Sequence, residues 1–305
     1  MHQVWILHTE LILFASLNPA IWLVVLAPLL RRRRVRLVAI CHGLDVTQGP
    51  PFWQWLVHRS FKQLDGVIAV SQATAQQCLE RGVPQERLQV LPNGIGPRMV
   101  ATELPSFAIP DKPTGSFVCL AVGRQIPRKG FAWFADQVMP LLPSHIQLWL
   151  VGWGPQAPLI TQAIERHGLQ KRVVQLGVIS DGELAAMYRQ ADLFVMPNLR
   201  VNQDMEGFGI VILEAGLSGL FCLASAIEGI TDVISPANGR LLPPRNAPAF
   251  AAAIREQASL PEALQVQQRQ AARAWVQQQF GWGHLRPRYR AAFEAVRTQP
   301  ARWQR

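Results

Sequence analysis

Two carboxylates separated by seven residues, Glu206 and Glu214, stand in the run Met205-Glu-Gly-Phe-Gly-Ile-Val-Ile-Leu-Glu-Ala215. Gly207 and Gly209 permit a close backbone approach to a ligand where a helix is expected to begin, over about 209–218. Glu206 precedes that helix and Glu214 lies more than a turn into it, so the pair is expected to project into one cleft at different depths. Carboxylates so placed suit sugar or ribose hydroxyls, which need strong acceptors. The plainer alternative is a helix-start charge followed by a solvated glutamate. A second cluster, Ala121-Val-Gly-Arg-Gln-Ile-Pro-Arg-Lys-Gly130, follows a strand and opens a helix. Gly123 lets the backbone turn there. Arg124 and Lys129 flank a helix N-terminus, whose N–H groups and positive dipole end suit a diphosphate. The cluster matches neither the Walker loop nor G-x-G-x-x-G, so ATPase and dinucleotide readings lose their main support, and an ordinary basic loop is the alternative. His42, in Cys41-His-Gly-Leu-Asp45, closes a strand before a glycine and either faces the same kind of crevice or is structural. Asn93-Gly94 is a turn signal first and a cleft residue only by context.

The elements that must carry these residues alternate between β-type and helical runs. Strands are expected at Val4–Leu7, Arg36–Cys41, Gly66–Val70, Leu88–Leu91, Phe117–Val122, Ile146–Val151, Val173–Leu176, Leu193–Met196 and Leu220–Ala224. Helical patterns lie between them at 52–63, 71–81, 129–139, 156–167, 181–190 and 209–218, and an amphipathic helix is expected at 284–297. Such alternation argues for parallel, doubly wound sheets of α/β class. The fold expected is two Rossmann-like doubly wound domains: 1–97, a proline-rich linker over 98–115, 116–280, and a helix and tail over 281–305. The first domain is short for its kind, with about four strands, and is expected to be incomplete, the sequence starting mid-domain.

Residues 11–30 carry no charge and run into Arg31-Arg32-Arg33-Arg34. Three readings stand: a core helix of a βαβ unit, a helix on a membrane surface, or one inserted into the bilayer. The arginines would meet anionic headgroups on either of the last two. Over all 305 residues there are 30 Lys and Arg against 20 Asp and Glu, a net charge of +10. The excess divides as +4 over residues 1–97 and +6 over 98–305, so it is not a basic tail. It suits anionic partners, although no stripe of bases and aromatics supports nucleic acid. At 49% hydrophobic and 16% charged, the chain is not disordered. Cys41, Cys78, Cys119 and Cys222 are isolated and read as buried thiols in a reducing compartment.

Taken in order, HGLD (42–45), VIAVS (67–71), VLPNGI (90–95), VGRQIPRKG (122–130), EGFGIVILEA (206–215) and NGRLLPP (238–244) resemble glycosyltransferase family 4, the group 1 glycosyltransferases of the GT-B fold. The resemblance covers about residues 4–280. It implies a retaining, metal-independent hexosyl transfer from a nucleotide-sugar, with no cofactor, to a saccharide or lipid-linked acceptor. Donor binding would fall to the C-terminal domain, while the acceptor would enter from the N-terminal one. By motif, Arg124 and Lys129 would neutralise the diphosphate beside Gly123. Glu206, with the amides of Gly207, Phe208 and Gly209, would hold the donor sugar. Glu214 would accept the ribose hydroxyls, His42 would contact the sugar near the reacting carbon, and Ser71 and Asn93 would line the N-terminal wall. The isolated cysteines and the Arg-flanked apolar run together lead to the expectation of a cytoplasmic protein, peripheral at the inner face of the membrane.

The chain departs from the family in three places. The glycine-rich loop after the first strand has no counterpart and would lie upstream of Met1. Leu220-Phe221 replaces a small residue and proline, and Thr231-Asp232 stands where Pro-Glu is common. The first departure leaves a second expectation, a truncated nucleotide-sugar-binding module without turnover. A glycoside hydrolase using Glu206 and Glu214 is disfavoured because it leaves Arg124 and Lys129 without a purpose.

Overall fold

The computed structural model describes residues 9–32, 34–96 and 111–299. The strand expected at Val4–Leu7 and most of the expected linker lie outside the described residues. Contacts divide the chain into two compact units. Unit 1 gathers Met1–Gly94, Asn202–Phe208 and Trp282–Arg305; unit 2 gathers Ile95–Val201 and Gly209–Gly281. This division departs from the contiguous ranges read from sequence, because 202–208 and the C-terminal helix group with unit 1.

The strands are β1 Leu11–Phe14, β2 Arg36–Cys41, β3 Gly66–Ala69, β4 Leu88–Val90, β5 Phe117–Val122, β6 Ile146–Val151, β7 Val173–Gly177, β8 Leu193–Met196, β9 Phe221–Ser225 and β10 Gly239–Leu242. The principal helices are α1 Leu23–Arg32, α2 Pro51–Phe61, α3 Gln72–Glu80, α4 Ala157–Arg166, α5 Asp181–Gln190, α6 Ile210–Leu217, α7 Ala247–Ala258, α8 Glu262–Phe280 and α9 Trp282–Thr298.

Unit 1 is a parallel sheet in the order β1-β2-β3-β4. Each crossover steps the same way, and right-handed crossovers then put α1, α2 and α3 on one face. The two-residue period of β2 records this. Leu37, Ala39 and Cys41 join a core with Leu23, Ala27, Val57, Phe61, Ala75 and Cys78. Val38 and Ile40 pack instead with Ala292 and Val296 of α9 on the opposite face. Strands covered on both faces read as continuous apolar runs, which is why β2 and β3 were legible.

The apolar run 11–30 is not one helix. Leu11–Phe14 forms a strand in register with Arg36–Ala39, Leu17–Ala20 makes a single turn, and α1 begins at Leu23. Pairing of the β1 backbone with β2 overrides the uniform hydropathy, and Ser16 and Pro19 punctuate the residues between β1 and α1. No helix among the described residues is long and apolar enough to cross a membrane.

Unit 2 holds a six-stranded parallel sheet in the order β10-β9-β8-β5-β6-β7. From β5 the chain winds outward through β6 to β7, then returns to β8 and winds the other way. The order therefore reverses between β5 and β8, which pair directly. In open α/β sheets that reversal opens a crevice at the carboxyl ends of the strands. The helix expected over 129–139 is broken into a 3₁₀ turn at Pro127–Lys129, one α turn at Phe131–Trp133, a π turn at Phe134–Val138 and a 3₁₀ turn at Met139–Leu141. Pro140 lacks the N–H that a regular helix needs there. Strand β10 and helices α7 and α8 went unread in the sequence. Helix α8 is rich in Gln and buries only Ala272, Val276 and Phe280, a narrow i, i+4, i+8 stripe. That stripe packs on α6, where Gly216 has no side chain to obstruct Val276.

Candidate functional site

In unit 2 the loops leaving β5 and β8 flank the reversal of strand order, and they are tied backbone to backbone. The Leu199 N–H donates to the Arg128 carbonyl at 2.8 Å. Gly130, at φ +69°, sits so close to Pro197 that any β-carbon would overlap the Pro197 carbonyl oxygen. The 3₁₀ turn closes through Lys129 N–H to the Ile126 carbonyl at 3.0 Å, and it buries both Arg128 and Lys129. The Lys129 Cε lies 3.2 Å from where a β-carbon on Gly123 would stand, so the ammonium stem runs over that glycine. Arg124 is exposed. The cluster expected to bind anion is therefore a built loop with two buried cations, Arg128 and Lys129, and one exposed, Arg124.

Two supports hold it. On one side Gln125 is buried, donates its backbone N–H to the Trp153 carbonyl (3.1 Å) and donates its side-chain amide to the Gly152 carbonyl at 3.0 Å. On the other, Phe131 and Phe134 enter the core, and Phe134 meets Phe250 edge to face at 6.0 Å and 88°. Such a pair adds about 0.5–1.5 kcal/mol beyond the area it buries.

Glu214 projects from α6, whose other residues are apolar or glycine. The hydroxyl of Tyr188 donates to its Oε2 at 2.8 Å. Tyr188 is fully buried on α5. A capping box fixes the start of α5: Ser180 Oγ accepts the Glu183 N–H, and Glu183 Oε2 accepts the Ser180 N–H. Capping of this type is worth about 1 kcal/mol and sets the register that carries Tyr188. Burial pushes the Glu214 carboxyl above the ordinary glutamate range; the Tyr188 hydroxyl pulls it down, and the charge of Asp181 adds to the rise. Burial likewise raises the Tyr188 phenol well above its usual value, so it remains a donor at neutral pH.

In unit 1, His42 follows β2. Its backbone N–H donates to Asp45 Oδ1 at 2.8 Å, and the other carboxylate oxygen accepts the Leu17 N–H at 2.9 Å. The ring Nε2 lies 2.8 Å from the Ala15 carbonyl, which can only accept, so Nε2 carries the proton. The segment 202–208 docks on the same strand end. A β-carbon on Gly207 would overlap the His42 carbonyl oxygen, and Gly43, at φ +90°, would meet the Gly207 Cα in the same way. The Gly207 carbonyl accepts from Thr74 Oγ1 at 3.4 Å.

Gly207, expected to permit close approach to a ligand, lies in the structure hard against the backbone of His42. Glu206, partly buried, and Phe208, buried, belong to that docked segment, whereas Gly209 and Glu214 belong to unit 2. Ser71 is fully buried and caps α3, accepting the Thr74 N–H at 3.0 Å. Asn93 is partly buried near the end of unit 1. Tyr188 and Gln125 escaped sequence analysis. Each works through a partner more than twenty residues away, and no local spacing announces it.

Comparison with known proteins bears on this arrangement. A family profile described as "Glycosyl transferases group 1" matches residues 116–259, and one described as "Glycosyltransferase Family 4" matches 9–98. The chain is 29% identical over 242 residues to a GDP-mannose-dependent alpha-(1-6)-phosphatidylinositol monomannoside mannosyltransferase of Mycolicibacterium smegmatis. That match covers 74% of this chain and 60% of the relative. A protein of the same name from Mycobacterium tuberculosis is 28% identical over 294 residues, 90% of this chain and 73% of the relative. The chain thus spans less than two thirds of the first of these relatives. Among solved structures, Anabaena HepE in complex with UDP superposes with a TM-score of 0.77 at 22% identity, over 94% of this chain and 79% of HepE. The fold is GT-B, and with both profiles matched in sequence order, the chain belongs to the group 1 glycosyltransferases, glycosyltransferase family 4.

Proposed function

We propose that the chain transfers a hexose from a nucleoside-diphosphate donor to a saccharide or lipid-linked saccharide, with retention of configuration and without a metal ion. The observation that carries this reading is the placement, in unit 2, of a buried Lys129 on the loop after β5 and of Glu214 on the helix that follows β8, the two elements flanking the reversal of strand order. The nucleotide lies there, with Lys129 and Arg124 on its diphosphate over Gly123. Departure of a diphosphate from an oxocarbenium-like carbon places new charge on the leaving oxygens, and cations fixed beforehand stabilise it with little reorganisation. Glu214 accepts the ribose hydroxyls. Glu206 and the amides of Gly207, Phe208 and Gly209 hold the donor sugar, and His42 contacts it near the reacting carbon. Asn93 lines the acceptor side, while Ser71 acts there by fixing the start of α3.

The names of the mycobacterial relatives support a lipid-linked acceptor and an alpha linkage, which from an alpha-linked donor is retention. They make GDP-mannose one donor to try, and the UDP in HepE makes UDP-sugars the other. The test offers radiolabelled GDP- and UDP-hexoses to the purified chain with a bacterial polar-lipid extract, in EDTA, and digests the product with alpha- and beta-specific glycosidases. An alpha-linked product formed in EDTA supports the reading. Nucleotide binding without transfer would leave a donor-binding module, and a beta-linked product would refute retention.

A further inference from the structure

Among the described residues of unit 2, the two most exposed large apolar side chains are Val178, at 84%, and Trp153, at 67%. Apolar residues scattered singly over a surface are ordinary, but these two are not scattered. Each follows a glycine at the carboxyl end of its strand: Gly152 comes directly after β6, and Gly177 ends β7. The Gly152 N–H donates to the Gly177 carbonyl at 2.7 Å. Trp153 and Val178 therefore leave the sheet on adjoining loops, at the edge where open α/β sheets bind their ligands.

The loop under Trp153 has no slack. A β-carbon on Gly152, at φ +113°, would overlap the Gly123 carbonyl oxygen, and one on Gly154 would overlap that of Gln125. The Gln125 N–H donates to the Trp153 carbonyl at 3.1 Å, and the Gln125 carbonyl accepts the Gln156 N–H at 2.9 Å. The loop carrying the indole is thus fastened to the loop carrying Gly123, Arg124 and Lys129, at the residue next to the exposed Arg124. On the other flank, Asp181 lies three residues beyond Val178, and its charge acts on the Glu214 carboxyl. Trp153 and Val178 are in this way linked on one side to the cations proposed for the diphosphate and on the other to the acceptor proposed for ribose. The part of a nucleotide still without a partner is its planar base. Every base offers a π-face on which an aromatic ring can stack, and a purine covers more of an indole than a pyrimidine does.

Building on the donor site proposed above, we propose that Trp153 stacks on the nucleobase, with Val178 on the rim beside it, and that this contact makes the chain select a purine nucleotide. Calorimetric titration of the full chain with GDP, UDP and inorganic pyrophosphate tests it. Stacking of a base on an aromatic side chain is worth about 5- to 150-fold in affinity. The wild type is expected to bind GDP at least about five-fold more tightly than UDP. W153A should weaken GDP by a factor within the stacking range and UDP by less. Pyrophosphate affinity and melting temperature should not change in W153A, because pyrophosphate has no base and the indole is exposed. W153F keeps an aromatic face and should retain most of the GDP affinity, whereas K129A should weaken all three ligands. GDP affinity unchanged in W153A but reduced in K129A would overturn the inference and leave the donor site standing. Equal loss of GDP and pyrophosphate in W153A would also overturn it, because the indole would then serve only to hold the basic loop. So would a wild type that binds UDP as tightly as GDP. Binding of all three ligands indifferent to K129A would remove the donor site and the inference with it.

Discussion

The Tyr188 hydroxyl holds Oε2 of Glu214 at 2.8 Å in a setting where burial has pushed the carboxyl above the ordinary glutamate range. The acceptor proposed for ribose is thus oriented before any nucleotide arrives, and its charge is only partly stabilised. This sets the direction of the pH dependence. A carboxyl with a raised native pKa stabilises the unliganded fold fully below its unfolded pKa, and that contribution is lost as pH rises through the native value. Nucleotide affinity runs the other way, because ribose hydroxyls need the carboxylate. Affinity should rise with pH through a limb lying above the ordinary glutamate range. Tyr188→Phe removes the bond that lowers this pKa and should move the limb to higher pH. Nucleotide titrations across about pH 4–8 check this, a range that brackets ordinary and raised carboxyl values. A limb in the same place in both proteins would contradict it.

His42 belongs to unit 1, and its ring is fixed by the Ala15 carbonyl. His42→Ala should leave nucleotide affinity within about two-fold and lower transfer by at least about 100-fold, as expected for a group acting on the reacting carbon. A parallel loss of affinity and turnover would make the histidine structural.

Gly207→Ala tests the docked segment. A methyl group there overlaps the His42 carbonyl, so the loop carrying Glu206 must shift. Displacement of about 1 Å at a positioned group costs on the order of 100-fold in rate. Transfer should fall by about that factor while the melting temperature changes little, and unchanged transfer would show that the segment can be displaced without effect.

Phe134→Ala removes the ring that meets Phe250 behind the basic loop. Truncating a fully buried aromatic costs about 3–5 kcal/mol, which denaturant unfolding should report. A loss below about 1 kcal/mol would mean that the loop has another anchor.

How much of this was legible in the sequence depended on where each signal resides. Phe117–Val122 and Ile146–Val151 are covered on both sides, and their unbroken apolar runs announce them. Leu11–Phe14 is equally apolar but merges into a longer run, and only its pairing with β2 separates strand from helix. The basic loop and the glutamate pair are local motifs and were read from spacing. Tyr188 was not, since its meaning depends on a carboxylate 26 residues away. The grouping of 202–208 with unit 1 was hidden for the same reason: only in three dimensions does Gly207 meet the carbonyl of His42.

Lys129 and Glu214 in unit 2 are proposed to hold a nucleoside diphosphate without metal. Calorimetric titration of the chain with GDP and UDP in EDTA tests it directly, alongside Lys129→Ala and Glu214→Ala. A hydrogen bond to a charged group contributes about 1.5–3 kcal/mol, so each variant should bind about 10- to 100-fold more weakly. One of the two nucleotides should bind the wild type in EDTA, and both variants should weaken that binding. Binding that requires added Mg²⁺, or affinity unchanged in both variants, would contradict it.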